Sequence, residues 1–97
     1  MSLAAQNPAL GDFSGWVGQS FAVPGPGDRL MMTLEAAEAL QGSVREAGGF
    51  RLQFLGPVEP MLGQGIFPFE IEAERYELFI VPIGRSAEGT RYEAVFY

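Results

Sequence analysis

The sequence predicts a mainly β fold: a small antiparallel barrel or sandwich of about six strands with one short N-terminal helix. Three observations predict it. FRLQF at 50–54 alternates cleanly, with Phe50, Leu52 and Phe54 on one side and Arg51 and Gln53 on the other. Residues 66–83 read as a hairpin, in which Phe67, Phe69 and Ile71 oppose Pro68, Glu70 and Glu72 before YELFIVPI returns. The connections between apolar runs are short and rich in Gly and Pro, too short for the crossovers that parallel strands need. So many strands in so short a chain favour closure or stacking over an open sheet with two bare edges.

Taken in order, residues 1–10 read as a loose lead-in to a single domain spanning 1–97. A short helix is predicted from Gly11-Asp12, with Asp12 as its cap and Phe13, Trp16 and Val17 on one face. Gly15 and Gly18 keep it short. QSFAV at 19–23 reads as a strand, and PGPGD at 24–28 as a turn. In RLMMTLEAAEAL at 29–40 the two signals disagree. Composition favours a helix. Alternation of Leu30, Met32, Leu34 and Ala36 suits a strand buried on one side.

Residues 41–49 form a polar, Gly-rich loop, and 56–65, with three Gly and two Pro, a stiff one. The hairpin tip falls near Ala73-Glu74-Arg75. The run after Glu77 is nearly all apolar, so this strand is expected to lie centrally with both faces covered and to end at Pro82. GRSAEG turns the chain, and TRYEAVFY closes it with Tyr92, Ala94 and Phe96 on one side.

Composition narrows function more than it names it. The chain has no His, Cys or Lys. That leaves no Ser-His-Asp triad, Cys-His pair, Schiff-base lysine, imidazole metal ligand or disulfide framework. Twelve acidic residues against six arginines give a net charge of −6, and no two arginines lie closer than six positions. Nucleic acid and anionic membranes both require clustered cations, so neither is an expected partner. No apolar run is long enough to span a bilayer, and MSLAAQNPAL has no signal-peptide pattern, so a cytoplasmic location is expected. No cofactor is expected.

FRLQFLGP, PMLGQGIF, ELFIVPIG and RYEAVF, in that order, resemble a family of small uncharacterised bacterial β-rich domains, a domain of unknown function; VGQSF at 17–21 fits the start of the same pattern. The resemblance covers roughly residues 12–96. It implies a β-rich fold, favours a strand at 29–40 and brings no catalytic residue. It also implies an association with phage-tail-like proteins.

Five features remain to be weighed. Glu70 and Glu72 on one strand face would stand roughly 6.5–7 Å apart, a spacing compatible with a glycosidase pair or a hard cation. With Glu74 and Glu77 beside them, a solvated face that discourages edge pairing explains them better. Gly25-Pro26-Gly27 and Gly63-Gln64-Gly65 lack the strand-to-helix setting of a phosphate loop and read as turns. Trp16, Tyr76, Tyr92 and Phe96 could line a sugar or peptide groove, but core packing is the simpler role. Tyr97, on the opposite side from Phe96, is a candidate partner surface. Met61 and Leu62, apolar residues in the stiff loop, either plug the mouth of the fold or join that surface.

Three functions follow. The favoured one is a non-enzymatic interaction or assembly module, accessory to a phage-tail-like or other bacterial assembly and bound to a protein partner (itself or another chain). The second is a small-molecule or carbohydrate binder using a barrel interior or an aromatic groove. The last is a carboxylate-dependent hydrolase built on Glu70 and Glu72.

Overall fold

A computed structural model describes residues 13–25, 27–40 and 49–96. Six strands follow one another: β1 (Ser20–Pro24), β2 (Arg29–Leu40), β3 (Gly49–Gly56), β4 (Gly65–Ile71), β5 (Glu74–Ser86) and β6 (Gly89–Phe96). All pairings are antiparallel, and the sheet closes on itself in the order β1-β2-β3-β6-β5-β4. One ring, rather than two stacked sheets, therefore encloses the core.

Alternation determines what lies inside. Phe21 and Val23, Leu30, Met32 and Leu34, Phe50, Leu52 and Phe54, Phe69 and Ile71, Tyr76, Leu78 and Ile80, and Tyr92 and Ala94 all point inward and are buried. An aromatic cluster forms the middle. Phe21 meets Phe54 edge-on at 5.6 Å, and Phe54 meets Phe69 at 4.6 Å. Such tilted pairs add about 0.5–1.5 kcal/mol each beyond the area they bury.

Residues 29–40 are a strand throughout. Helix propensity loses because this segment is paired on both sides, with β1 and with β3. The expected alternation holds only to Leu34. A bulge between Leu34 and Ala36 adds one residue, Glu35, so that Ala37 rather than Ala36 packs against the core.

The predicted N-terminal helix does not continue past Ser14. Among the described residues only Phe13 and Ser14 are helical, and the chain then turns through i+3 bonds from Trp16 N–H to Phe13 O and from Gln19 N–H to Trp16 O. Gly18, at φ +92°, is in a backbone region no helix can pass through. Phe13 still buries itself, against Tyr76 at 4.7 Å and Phe50 at 5.8 Å, and covers one end of the ring. Val17 does not share that buried face; it is exposed. The proposed cap Asp12, the lead-in 1–10, Pro26, loop residues 41–48 and Tyr97 lie outside the described residues.

β5 departs from expectation twice. It runs past Pro82 to Ser86, because a bulge between Pro82 and Gly84 takes up the irregularity that a residue without an N–H creates. Its outer face is also uncovered: Phe79 and Ile83 point away from the ring. A closed ring has one inside, so a strand that reads as apolar on both faces must show one of them outward.

Candidate functional site

The outer surface of the ring divides into two chemically distinct halves. Across β2, β3 and β6 the outward side chains are charged and mutually paired. Arg51 on β3 bonds to Glu38 on β2 at 2.7 Å and to Glu93 on β6 at 2.8 Å. Glu35, the extra residue of the β2 bulge, accepts hydrogen bonds from Arg91 at 3.0 Å and from Gln53 at 3.2 Å. Arg91 also reaches Glu88 at 2.9 Å. The bond from Arg91 pulls the Glu35 carboxyl below its ordinary range, helped by Gln53 and opposed by partial burial. Glu38 first and then Glu93 raise the pKa of the Arg51 guanidinium. These pairs are on the surface, so each is worth little singly; together they tie three strands into one polar lattice.

The β4–β5 hairpin presents the other half. Ile66 stands directly opposite Phe79 in the register, and the two are 67% and 49% exposed. Val81 continues that face but is partly buried, and Ile83, left out of the ladder by the bulge, is 48% exposed. This apolar strip is bordered by charge: Glu77, paired with Arg75, precedes Phe79 on the same face of β5, and Glu93 of β6 stands opposite Val81.

The loop 57–64 bridges from β3 to β4 across the end of the ring opposite Phe13. Arg85 and Thr90 hold it by donating to the Val58 carbonyl at 3.1 and 3.3 Å. Leu62 is buried, and its N–H donates to the Tyr92 hydroxyl at 2.9 Å. Met61 beside it is 49% exposed. Of the two loop residues singled out by sequence, Leu62 thus inserts and only Met61 shows its side chain to solvent. Tyr76, Tyr92 and the partly buried Trp16 and Phe96 pack with the core, and Phe96 stacks on Phe50 at 4.5 Å. They form no open aromatic platform. Gly25 to Asp28 closes the expected turn through the Gly25 N–H and the Asp28 carbonyl, whereas Gly65, read as part of a turn, begins β4.

Glu70 and Glu72 do not share a strand face. β4 ends at Ile71, and Glu72 sits in the tight turn at φ +51°. Glu72 is exposed at the tip of that turn. Among the described residues no three acidic groups come together to hold a metal ion, and no helix is long and apolar enough to cross a membrane.

Two grooves among the described residues flank the junction of β1 and β4. One, of about 450 Å³, lies on the Ser20–Glu72 side of that junction. The other, of about 240 Å³, lies on the Pro24–Pro68 side. Arg29 and Glu70 line both. Arg29 makes no ion pair with any described residue, whereas Arg75 and Arg85 each have one and Arg51 and Arg91 each have two. The sequence carried no signal for this groove, because it forms between strands 45 residues or so apart in the chain, joined at Ala22 and Glu70.

These features define a small closed antiparallel sheet without a recognisable catalytic constellation among its described residues. The chain belongs to the domain of unknown function DUF6916, which matches residues 8–96. No curated protein and no solved structure matches it.

Proposed function

We propose that the chain is a non-enzymatic protein-interaction module that docks through the outer face of the β4–β5 hairpin and serves a larger assembly. The observation that carries this reading is the pairing of exposed Ile66 and Phe79, continued by Ile83, on a surface whose other half is laced with ion pairs. Aromatic and branched apolar side chains gathered on one exposed face are what protein interfaces use at their centre. Met61 projects from the loop at one end of the same molecule. The lack of His, Cys and Lys supports a role without chemistry, and arginines already bonded to acids support a partner other than nucleic acid.

The test is the double variant Ile66→Lys/Phe79→Lys. Both residues are exposed, so its melting temperature should stay within the small range of surface substitutions, about ±0.5 kcal/mol in stability. Self-association by light scattering, or capture of a partner from the native host, should be lost. A wild-type chain that is monomeric at high concentration and captures nothing, or a variant that binds undiminished, overturns the proposal.

A small-ligand role is a second reading, and the seam groove of about 450 Å³, lined by an Arg29 that has no ion pair among the described residues, favours it. The ring interior is filled by the core, so a ligand would have to bind outside. Arg29→Ala should then abolish a thermal shift produced by a carboxylate or phosphate library hit; no hit in such a screen ends this reading.

A further inference from the structure

The ring is not equally strong around its circumference. Five of its junctions are ladders of at least five residue pairs. The sixth, between β1 and β4, is the single pair Ala22 and Glu70. The sequence explains why the ladder stops on both sides. Continued one way, the same register sets Pro24 opposite Pro68, two residues with no N–H to donate. Continued the other way, it sets Ser20 opposite Glu72, where β4 has already turned away. The two surface grooves lie on these two sides of the bridge. What closes the seam is chiefly apolar packing, including Phe21 of β1 against Phe69 of β4 at 6.2 Å.

We propose that the ring opens at this seam: β1 leaves β4 while remaining on β2, without the rest of the sheet unfolding. β1 stays on β2 because five pairs join them, extended by bonds from Gly18 N–H to Leu34 O and from Leu34 N–H to Gln19 O. Such an opening breaks one bridge and exposes part of one aromatic cluster, far less than global unfolding exposes, so it sits low on the scale of local openings. Pro24 and Pro68 have a second effect in the open form. Each freed edge carries a residue that cannot donate to an incoming strand, which guards the opened ring against pairing with another chain. The seam is thus built to part and re-close rather than to template aggregation.

The chain has no cysteine, so single thiols report cleanly. Val23→Cys places one on the inner face of β1, and Ala94→Cys places one on β6, which is laddered on both sides; both sites are buried. Native-state labelling with a thiol reagent is followed across low urea and compared with each variant's own unfolding equilibrium. Val23→Cys should label at least about 10-fold faster than global unfolding allows, with a shallow urea dependence, and Ala94→Cys only at the global rate. Labelling of both at their global rates with the same steep urea slope overturns the proposal, as does sub-global labelling of Ala94→Cys to the same extent. If either variant fails to fold, residue-resolved amide exchange of the wild type decides. A shallower urea slope for the amides of the seam pair Ala22 and Glu70 than for those of β3 and β6 supports the opening; one common slope refutes it.

Discussion

Removing a single oxygen should measure how firmly the loop 57–64 is docked. Tyr92 is fully buried, and its hydroxyl accepts the Leu62 N–H at 2.9 Å inside the fold. Tyr92→Phe keeps the ring and its packing but leaves that N–H without an acceptor. An orphaned buried donor costs about 1–3 kcal/mol, more than the 0.5–1.5 kcal/mol that a satisfied hydrogen bond nets, because water cannot replace the lost partner. For a chain of this size 1 kcal/mol moves the melting midpoint by roughly 4–8 °C, so a fall of about 10 °C is expected. Circular dichroism melts give the midpoint, and urea unfolding should show a lower transition concentration at an unchanged slope. Leu62→Ala keeps the hydrogen bond but empties the pocket beneath it, and should cost about 2–5 kcal/mol. The double variant should cost less than the sum, since both changes release the same loop. A loss below about 0.5 kcal/mol for Tyr92→Phe, the range of an ordinary surface change, would mean that water reaches the Leu62 N–H and that the loop is not a plug.

Other outcomes follow from the same geometry. At Gly89, φ +146°, a Cβ would run into the Gly56 carbonyl oxygen and stand 3.0 Å from Leu55 Cδ1, so Gly89→Ala should lose at least about 1–3 kcal/mol in chemical denaturation, while Gly84→Ala, which meets nothing within 4 Å, should be close to neutral. Phe54→Ala empties the centre of the aromatic cluster and should cost about 3–5 kcal/mol in chemical denaturation, a large share of the roughly 5–15 kcal/mol that holds a domain folded. Glu35 has a lowered folded pKa, so its contribution is fully present above the ordinary value of 4.5 and is lost as pH falls through the lowered one. The wild-type melting temperature should therefore drop on acidification below pH 4.5 more steeply than that of Glu35→Gln, and parallel curves would show that the Arg91 bond contributes nothing.

Most of the fold was legible because the side-chain period of a strand is written in the order of residues. Phe50, Leu52 and Phe54, or Phe69 and Ile71, can face one way only if the backbone is extended. The inward sets of β3 and β6 were read correctly on that basis, and so was the turn at Gly25, whereas the outward face of β5 and the place of Gly65 in β4 were not. The candidate site was hardly legible. Ile66 and Phe79 are 13 positions apart and look like core residues; only their register, directly opposite on the outer face, makes them a surface. Pro82 read as a strand end, because a proline in a ladder is tolerated only where a bulge relieves it, and a bulge belongs to the pairing rather than to the strand.

By itself the sequence determined the β class, the inward faces of most strands, the acidic balance and the absence of imidazole, thiol and amine side chains. Those are local properties, decided by residue type and by neighbours two positions away. Only the tertiary structure decided that LEAAEAL is a strand, that the sheet closes into one ring, that Leu62 turns in while Met61 turns out, and that β1 meets β4 at a single pair. Each of these depends on which distant strand lies alongside, and one extra residue such as Glu35 or Ile83 is enough to reverse every side chain that follows it.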